Sequence, residues 1–238
     1  MDPMPQVGRA AVVTAWGAPV EVREYPVTAP PPGGLLVRVE RATICGSDVH
    51  AWDGALAAGF DIDLPIILGH ETVGRIVAFG EGPRADSVGT PLRVGDRVTW
   101  AHEACGRCYE CTVLGMGTLC PNRKIGFLLN ADTPPHFHGG FAEFAHVAPG
   151  AGRLRIPDDV DSEWAAAASC ALRTVVDAVV RLGQVDYRHT VVVQGAGPIG
   201  LFTTAMLSVA GPRKLVVVGG PEARLEVARA WGADAAVD

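Results

Sequence analysis

A chain of 238 residues has room for one large domain or two modest ones and can bury a substantial core. Hydrophobic residues make up 48% and charged residues 19%, which argues against disorder across the chain, and a net charge of -6 leaves no basic stripe to follow a nucleic acid. Apolar runs such as Val191 to Val193 and Leu215 to Val218 are too short to span a membrane, and Met1-Asp2-Pro3-Met4 has neither the basic nor the apolar part of an export signal.

The expectation is therefore a cytoplasmic protein. From Val7 to about Pro157 the pattern is short and strand-like. Apolar and charged residues alternate in Leu36-Val37-Arg38-Val39-Glu40, and similar runs are Gly74-Arg75-Ile76-Val77-Ala78 and Asp96-Arg97-Val98-Thr99. Turn signals at Pro30 to Gly34, Gly80 to Pro83 and Val94-Gly95-Asp96 separate them, so this part reads as a β-rich domain, a barrel of short strands. The texture changes at Asp161, where Ser162-Glu163-Trp164 caps and opens an Ala-rich helix that runs into Val175 to Leu182 and breaks at Gly183. Then follow a buried strand at Val191 to Val193, a helix from Pro198 to Ala210 and a second strand at Leu215 to Val218. A second helix from Pro221 to Trp231 and a third strand at Ala235 to Val237 complete the series. Strand and helix alternating at this spacing form a parallel α/β unit. The expected domains are residues 1–160, β-rich, and 161–238, α/β.

Six cysteines without an export signal point away from disulfides. Cys105, Cys108 and Cys111 are spaced two residues apart, and Cys120 follows eight residues later. Four thiolates at this spacing match a closed, structural zinc site; the alternative is a group of reduced thiols without metal. A second constellation is Gly195-Ala196-Gly197-Pro198-Ile199-Gly200, which follows the apolar run Val191 to Gln194 and opens a helix. In that context the glycines allow a tight turn and close backbone approach to a pyrophosphate at the helix N-terminus; the alternative is a Gly-rich turn with no ligand. A third is dispersed over Cys45-Gly46-Ser47-Asp48-Val49-His50, Gly69-His70-Glu71 and Cys170. Singly, each Cys or His reads as packing. Together, two thiolates and an imidazole would hold zinc with one position open, while Ser47 passes a proton, Asp48 orients the imidazole and His50 relays to solvent.

These motifs, with Val94-Gly95-Asp96-Arg97-Val98 and Gly139-Gly140-Phe141-Ala142-Glu143, occur in the same order in the zinc-dependent medium-chain alcohol dehydrogenases, which the sequence resembles over its whole length. The resemblance implies a GroES-like barrel followed by a Rossmann domain. It implies that Cys45, His70 and Cys170 are catalytic zinc ligands, with Glu71 beside the metal, and that Cys105, Cys108, Cys111 and Cys120 hold a structural zinc. Gly195, Gly197, Pro198, Ile199, Gly200 and Gly219 would face the dinucleotide, and Thr174 would lie near its nicotinamide.

The implied reaction moves a hydride between an alcohol or polyol and NAD or NADP, giving an aldehyde or ketone, with two zinc ions per chain and a homo-oligomer as the full-length form. A catalytically incomplete relative acting as a scaffold or partner subunit is the rival reading. The sequence departs from the family in two places. The last gap of the cysteine lobe is one residue longer than in many relatives, and Val218-Gly219-Gly220-Pro221 lacks the acid that grips the ribose of NAD. Glu222 comes too late to replace that acid, Arg224 is either a contact for a 2′-phosphate or a solvated helix residue, and NAD against NADP stays open. Asp at position 219 is expected to shift preference toward NAD. Beyond Gly200 the chain offers about half of a Rossmann sheet, so the expectation is an incomplete dinucleotide site. His102, His136 and His138 read as exposed loop residues or as cleft lining, and Trp52 and Trp100 as pocket walls or packing.

Overall fold

The computed structural model describes residues 6–238, so the Met1 to Met4 stretch read above for export features lies outside the described residues. The alternation in the first half resolves into strands β1 (Val7–Val13), β2 (Glu21–Pro26) and β3 (Leu35–Thr43), then helix α1 (Gly46–Trp52). Strands β4 (Ile66–Ile67), β5 (Glu71–Phe79) and β6 (Arg97–Glu103) follow, with the single turn α2 (Tyr109–Thr112) before β7 (Phe144–Val147) and β8 (Ala151–Arg155). They form two antiparallel sheets, β2-β1-β4 and β7-β3-β5-β6-β8, linked where Ala10 bridges Ala142. The chain divides into two compact units, Met1–Ser169 and Cys170–Asp238.

Side-chain alternation explains the cores of the first unit. Leu36 faces a cluster with Val12, Tyr25, Phe137 and Phe144, while Leu35 and Val37 point the other way, to Ile76, Val98 and Val147. A further cluster of Val13, Ala51, Ile66, Leu68, Phe127 and Leu128 lies under α1 and under the loop that carries His70. It sets both against one floor.

Helix α3 (Ser162–Leu182) begins in the first unit, where Ala165 and Ala166 pack on Val73 and Ile156. Its first turn closes on the Asp161 carbonyl, bound by Ala165 N at 3.0 Å. Ser162, read from the sequence as part of the cap, has its hydroxyl accept from Arg97 Nη1 at 3.0 Å, which ties the helix start to β6.

In the second unit β9 (Thr190–Gln194), α4 (Pro198–Val209), β10 (Lys214–Val218), α5 (Glu222–Ala230) and β11 (Ala235–Val237) follow the expected order. The strands are parallel in the order β11-β10-β9. Leu215 and Val217 of β10 are buried with Val193, Leu225, Ala228 and Ala236. At the carboxyl ends Gly195 N donates to Val218 O at 2.7 Å and Gly219 N to Val237 O at 2.9 Å, so the two turns stand side by side, at the edge where parallel sheets bind ligands.

Candidate metal centres and cofactor loop

Cys45 is the N-cap of α1, with extended backbone. Its N–H donates to Asp48 Oδ2 at 2.9 Å, while Asp48 N returns a bond to the Cys45 carbonyl at 3.0 Å. Asp48 Oδ1 accepts from Gly69 N at 3.0 Å and from His70 Nδ1 at 3.1 Å. One buried carboxylate therefore fixes both the cysteine turn and the imidazole. With Nδ1–H given to Asp48, the lone pair of His70 lies on Nε2, the tautomer a metal ligand needs. The His70 ring also stacks on Phe127 at 4.6 Å.

The loop behind His70 is held by backbone bonds. Phe141 N donates to Leu68 O and Gly140 N to Gly69 O, each at 2.8 Å. The far end of that motif is anchored by Glu143, which accepts from Arg9 N at 2.9 Å and Arg9 Nη2 at 2.8 Å. Glu71 is buried and accepts from Thr43 Oγ1 at 2.6 Å. Donor atoms of Cys45, His70 and Glu71 lie within 4.8 Å of one another, close enough to share one cation.

Ser47 is half-buried in the first turn of α1, and His50 is exposed on its last turn, with Nδ1 3.9 Å from Asp53 Oδ2. Cys170 is the first residue of the second unit, on α3, and Thr174 one turn later donates its hydroxyl to the Cys170 carbonyl at 2.9 Å.

The second cluster hangs from a paired base. Glu103 and Lys124 exchange backbone hydrogen bonds of 3.2 and 3.0 Å, and the intervening loop carries all four thiols. The sulfur atoms of Cys105, Cys108, Cys111 and Cys120 lie within 4.8 Å of one another, with Cys108 to Cys111 at 3.4 Å and Cys108 to Cys120 at 3.8 Å. A tetrahedron of zinc–sulfur bonds of about 2.3 Å has edges of roughly 3.8 Å, so the spacing and the donor set fit that ion. The Arg107 backbone N–H draws the Cys105 thiol down to about 6, and burial pushes the Cys108 thiol up. Further donors point at sulfur: Cys105 N to Cys120 Sγ at 3.4 Å and Asn122 Nδ2 to Cys105 Sγ at 3.7 Å.

The cofactor loop follows β9. Gly197 caps α4 and Pro198 occupies its first turn, where a missing N–H costs nothing. A Cβ on Gly200 would overlap the Gly195 carbonyl, so the helix can sit this close to the turn only without a side chain there. Gly219 has φ of +150°, and a Cβ there would stand 2.9 Å from Ala196 N. The aspartate substitution suggested by sequence is thus obstructed: it would strain the turn before any charge could act. Gly219→Ala is expected to cost about 1–3 kcal/mol, or about 2–10 °C in Tm. A thermal melt unchanged within a degree would contradict it. Glu222, the acid nearest in sequence, is held by Arg229 Nη1 at 2.6 Å.

Sequence reasoning missed Thr43, Phe127 and His146. Thr43 ends an ordinary strand, and nothing local marks it as the partner of Glu71. Phe127 lies in a single 3-10 turn, Gly126–Leu128, whose neighbours give no period.

Residues 31–158 match the family described as the alcohol dehydrogenase GroES-like domain. The chain is 41% identical over 229 residues to 5-exo-hydroxycamphor dehydrogenase of Pseudomonas putida, covering 96% of this chain and 61% of the relative. Among solved structures, an alcohol dehydrogenase from Thermotoga maritima superposes with a TM-score of 0.89 at 33% identity, covering 98% of this chain and 63% of that one. A dehydrogenase from Sinorhizobium meliloti, described as zinc-binding and bound to NADP, superposes with a TM-score of 0.78 at 30% identity, over 98% and 62% of the two chains. The chain thus spans about three-fifths of the length of the relatives it matches.

Proposed function

Because the chain belongs to the zinc-dependent medium-chain alcohol dehydrogenases, we propose that it is the zinc- and dinucleotide-binding part of an enzyme that oxidises an alcohol with NAD or NADP. The observation that carries this reading is Asp48, whose two oxygens set Cys45 and the Nε2 lone pair of His70 toward one point. Cys170 completes the proposed ligand set. Glu71, held by Thr43, stands beside it as an exchangeable carboxylate. Zinc bound there supplies Lewis acidity toward the alcohol oxygen.

Ser47 and His50 are three residues apart on α1 and so share a face. In this reading the Ser47 hydroxyl would take the proton of the substrate hydroxyl and hand its own on, by way of the ribose of a bound cofactor, toward His50 and so to water. A nicotinamide held there would supply the hydride acceptor by which an alcohol becomes a carbonyl. Gly195, Gly197 and Gly200 admit the pyrophosphate to the N-terminus of α4, with Pro198 and Ile199 in its first turn. Thr174 lies on the nicotinamide side. The four thiols of the lobe hold a second, structural zinc.

The experiment is metal analysis of chain purified without chelator, joined to cofactor titration. Two zinc ions per chain are expected, and one or none overturns the assignment. With no acid at Gly219 or Gly220, NAD and NADP are expected to bind within about tenfold, or about 1.4 kcal/mol, of each other. A preference well beyond that would mean another carboxylate or cation reads the ribose.

A further inference from the structure

The two ends of the cysteine loop lead straight to the first metal centre. Glu103 and Lys124 close the base of the loop with backbone bonds of 3.2 and 3.0 Å, and their side chains pair at 3.9 Å. His102 stands immediately before Glu103, and Phe127 follows Lys124 after a short turn. Both rings pack toward His70. Phe127 lies nearly flat on the imidazole, with centroids 4.6 Å apart and planes at 23°. His102 is tilted against Phe127 at 5.6 Å and against His70 at 6.3 Å, so the three rings meet pairwise.

Phe127 has little freedom of its own. It is buried in the cluster of Val13, Ala51, Ile66 and Leu68, and its 3-10 turn closes where Leu128 N donates to Ile125 O at 3.0 Å. A Cβ on Gly126 would stand 2.6 Å from the His138 carbonyl oxygen, so the turn lies flat against that segment. The bond from His70 Nδ1 to Asp48 fixes the direction of one ring nitrogen but leaves the tilt of the ring plane open. A stacked ring fixes the tilt, and with it the aim of Nε2. The place of Phe127 depends in turn on the base formed by Glu103 and Lys124, and the loop beyond that base is organised around its four sulfur atoms. Opening the loop would release the base, and the base would release the ring.

We propose that Phe127 couples the two metal centres: a cysteine loop gathered on its metal holds this ring against His70 and so strengthens metal binding at Cys45, His70 and Glu71. This rests on the reading of His70 as a zinc ligand. Phe127 is a positioning residue, since it acts only through the imidazole. The coupling can be no larger than the contact that carries it, about three- to tenfold for one aromatic pair. It acts equally in both directions, because a coupling free energy belongs to both sites at once.

The test is a cobalt(II) titration of the full chain against a competing chelator. A four-thiolate site and a mixed thiolate, imidazole and carboxylate site absorb differently, so each occupancy is followed separately. Cys105→Ser is expected to weaken cobalt at the first centre by about three- to tenfold, and Cys45→Ser to weaken it in the cysteine loop by the same factor. Phe127→Leu should lower the first-centre affinity of the parent by that factor and make it indifferent to Cys105→Ser. Phe127→Tyr, which keeps the ring face, should keep the coupling. Leu128→Ala is the control, since Leu128 is buried in the same cluster without stacking on the imidazole: it should lower the melting temperature and leave both affinities and their coupling in place. First-centre affinity equal in the parent and in Cys105→Ser would overturn the proposal, as would a difference that survives Phe127→Leu. So would a Leu128→Ala variant that loses the coupling as fully as Phe127→Leu. Should Cys105→Ser fail to fold, the reciprocal arm with Cys45→Ser decides. A parent that takes up one cobalt, with four-thiolate bands alone, would count against the metal reading of His70 and remove the coupling with it, whereas two cobalt ions bound independently would sink the coupling alone.

Discussion

Asp48→Ala is expected to weaken zinc at the first centre by about 10- to 100-fold and to destabilise the first unit by on the order of 3 kcal/mol. Three donors meet on this carboxylate, from Cys45 N, Gly69 N and His70 Nδ1, and the side chain is 2% exposed. Removing it strands two backbone N–H groups and frees the imidazole to rotate or to take the other tautomer. Asp48→Asn should fall between. Its single carbonyl oxygen can still accept from Gly69 and His70, but the amide nitrogen then faces the Cys45 N–H as donor against donor. Chelator competition and urea unfolding measure the two losses separately. An alanine variant that holds its metal as tightly as the parent would mean that Phe127 stacking alone orients His70.

Cys105→Ser and Cys45→Ser should each remove one zinc of two, with unequal consequences. The loop between Glu103 and Lys124 is fastened at its base by two backbone bonds and elsewhere chiefly by its sulfur cluster. Losing one thiol there should cost at least about 3 kcal/mol, because binding energy of a structural zinc is folding energy. Cys45 sits at the end of a helix already braced by Asp48 and by Ala51 in the core beneath, so its serine variant should melt within about 1 kcal/mol of the parent while losing alcohol oxidation. Equal thermal losses would mean that the two clusters do not divide into a structural and a reactive one.

Much of this architecture was legible in the residues because the signals were local. The two glycine turns and the strand–helix alternation follow from spacing a reader can see, and the third strand falls on Ala235 to Val237 as expected. The four-cysteine loop announces itself by its intervals. What escaped notice depends on pairing across the chain. His146 sits in a four-residue strand where any residue of either class would look alike, and its meaning comes from Phe137 nine residues earlier and from Thr28 on another segment. The sequence left His138 open between an exposed loop and a cleft wall, and the structure places it in the wall of a pocket beside His70, with its ring bonded to Thr133. Gly219 was legible only in part for a related reason. Its lack of a side chain read only as a missing acid, and the structure adds a steric constraint beside that reading, since a Cβ there would stand 2.9 Å from Ala196 N at a φ of +150°.

The cysteine loop also has a thermal character of its own. Tyr109, Val113, Leu114 and Leu119 are 61, 65, 46 and 56% exposed, so the loop hides little hydrocarbon and is organised around sulfur. Heat capacity of unfolding comes from apolar surface newly wetted, about 0.45 cal/mol/K for each Å². Opening this loop wets little more than is wet already. Its opening free energy should then run nearly straight with temperature, lacking the dome that governs the strand clusters around Val12 and Val37. Cooling, which erodes hydrophobic cohesion in the sheets, leaves a sulfur-held loop untouched, and the two parts of the same unit reach their greatest firmness at different temperatures.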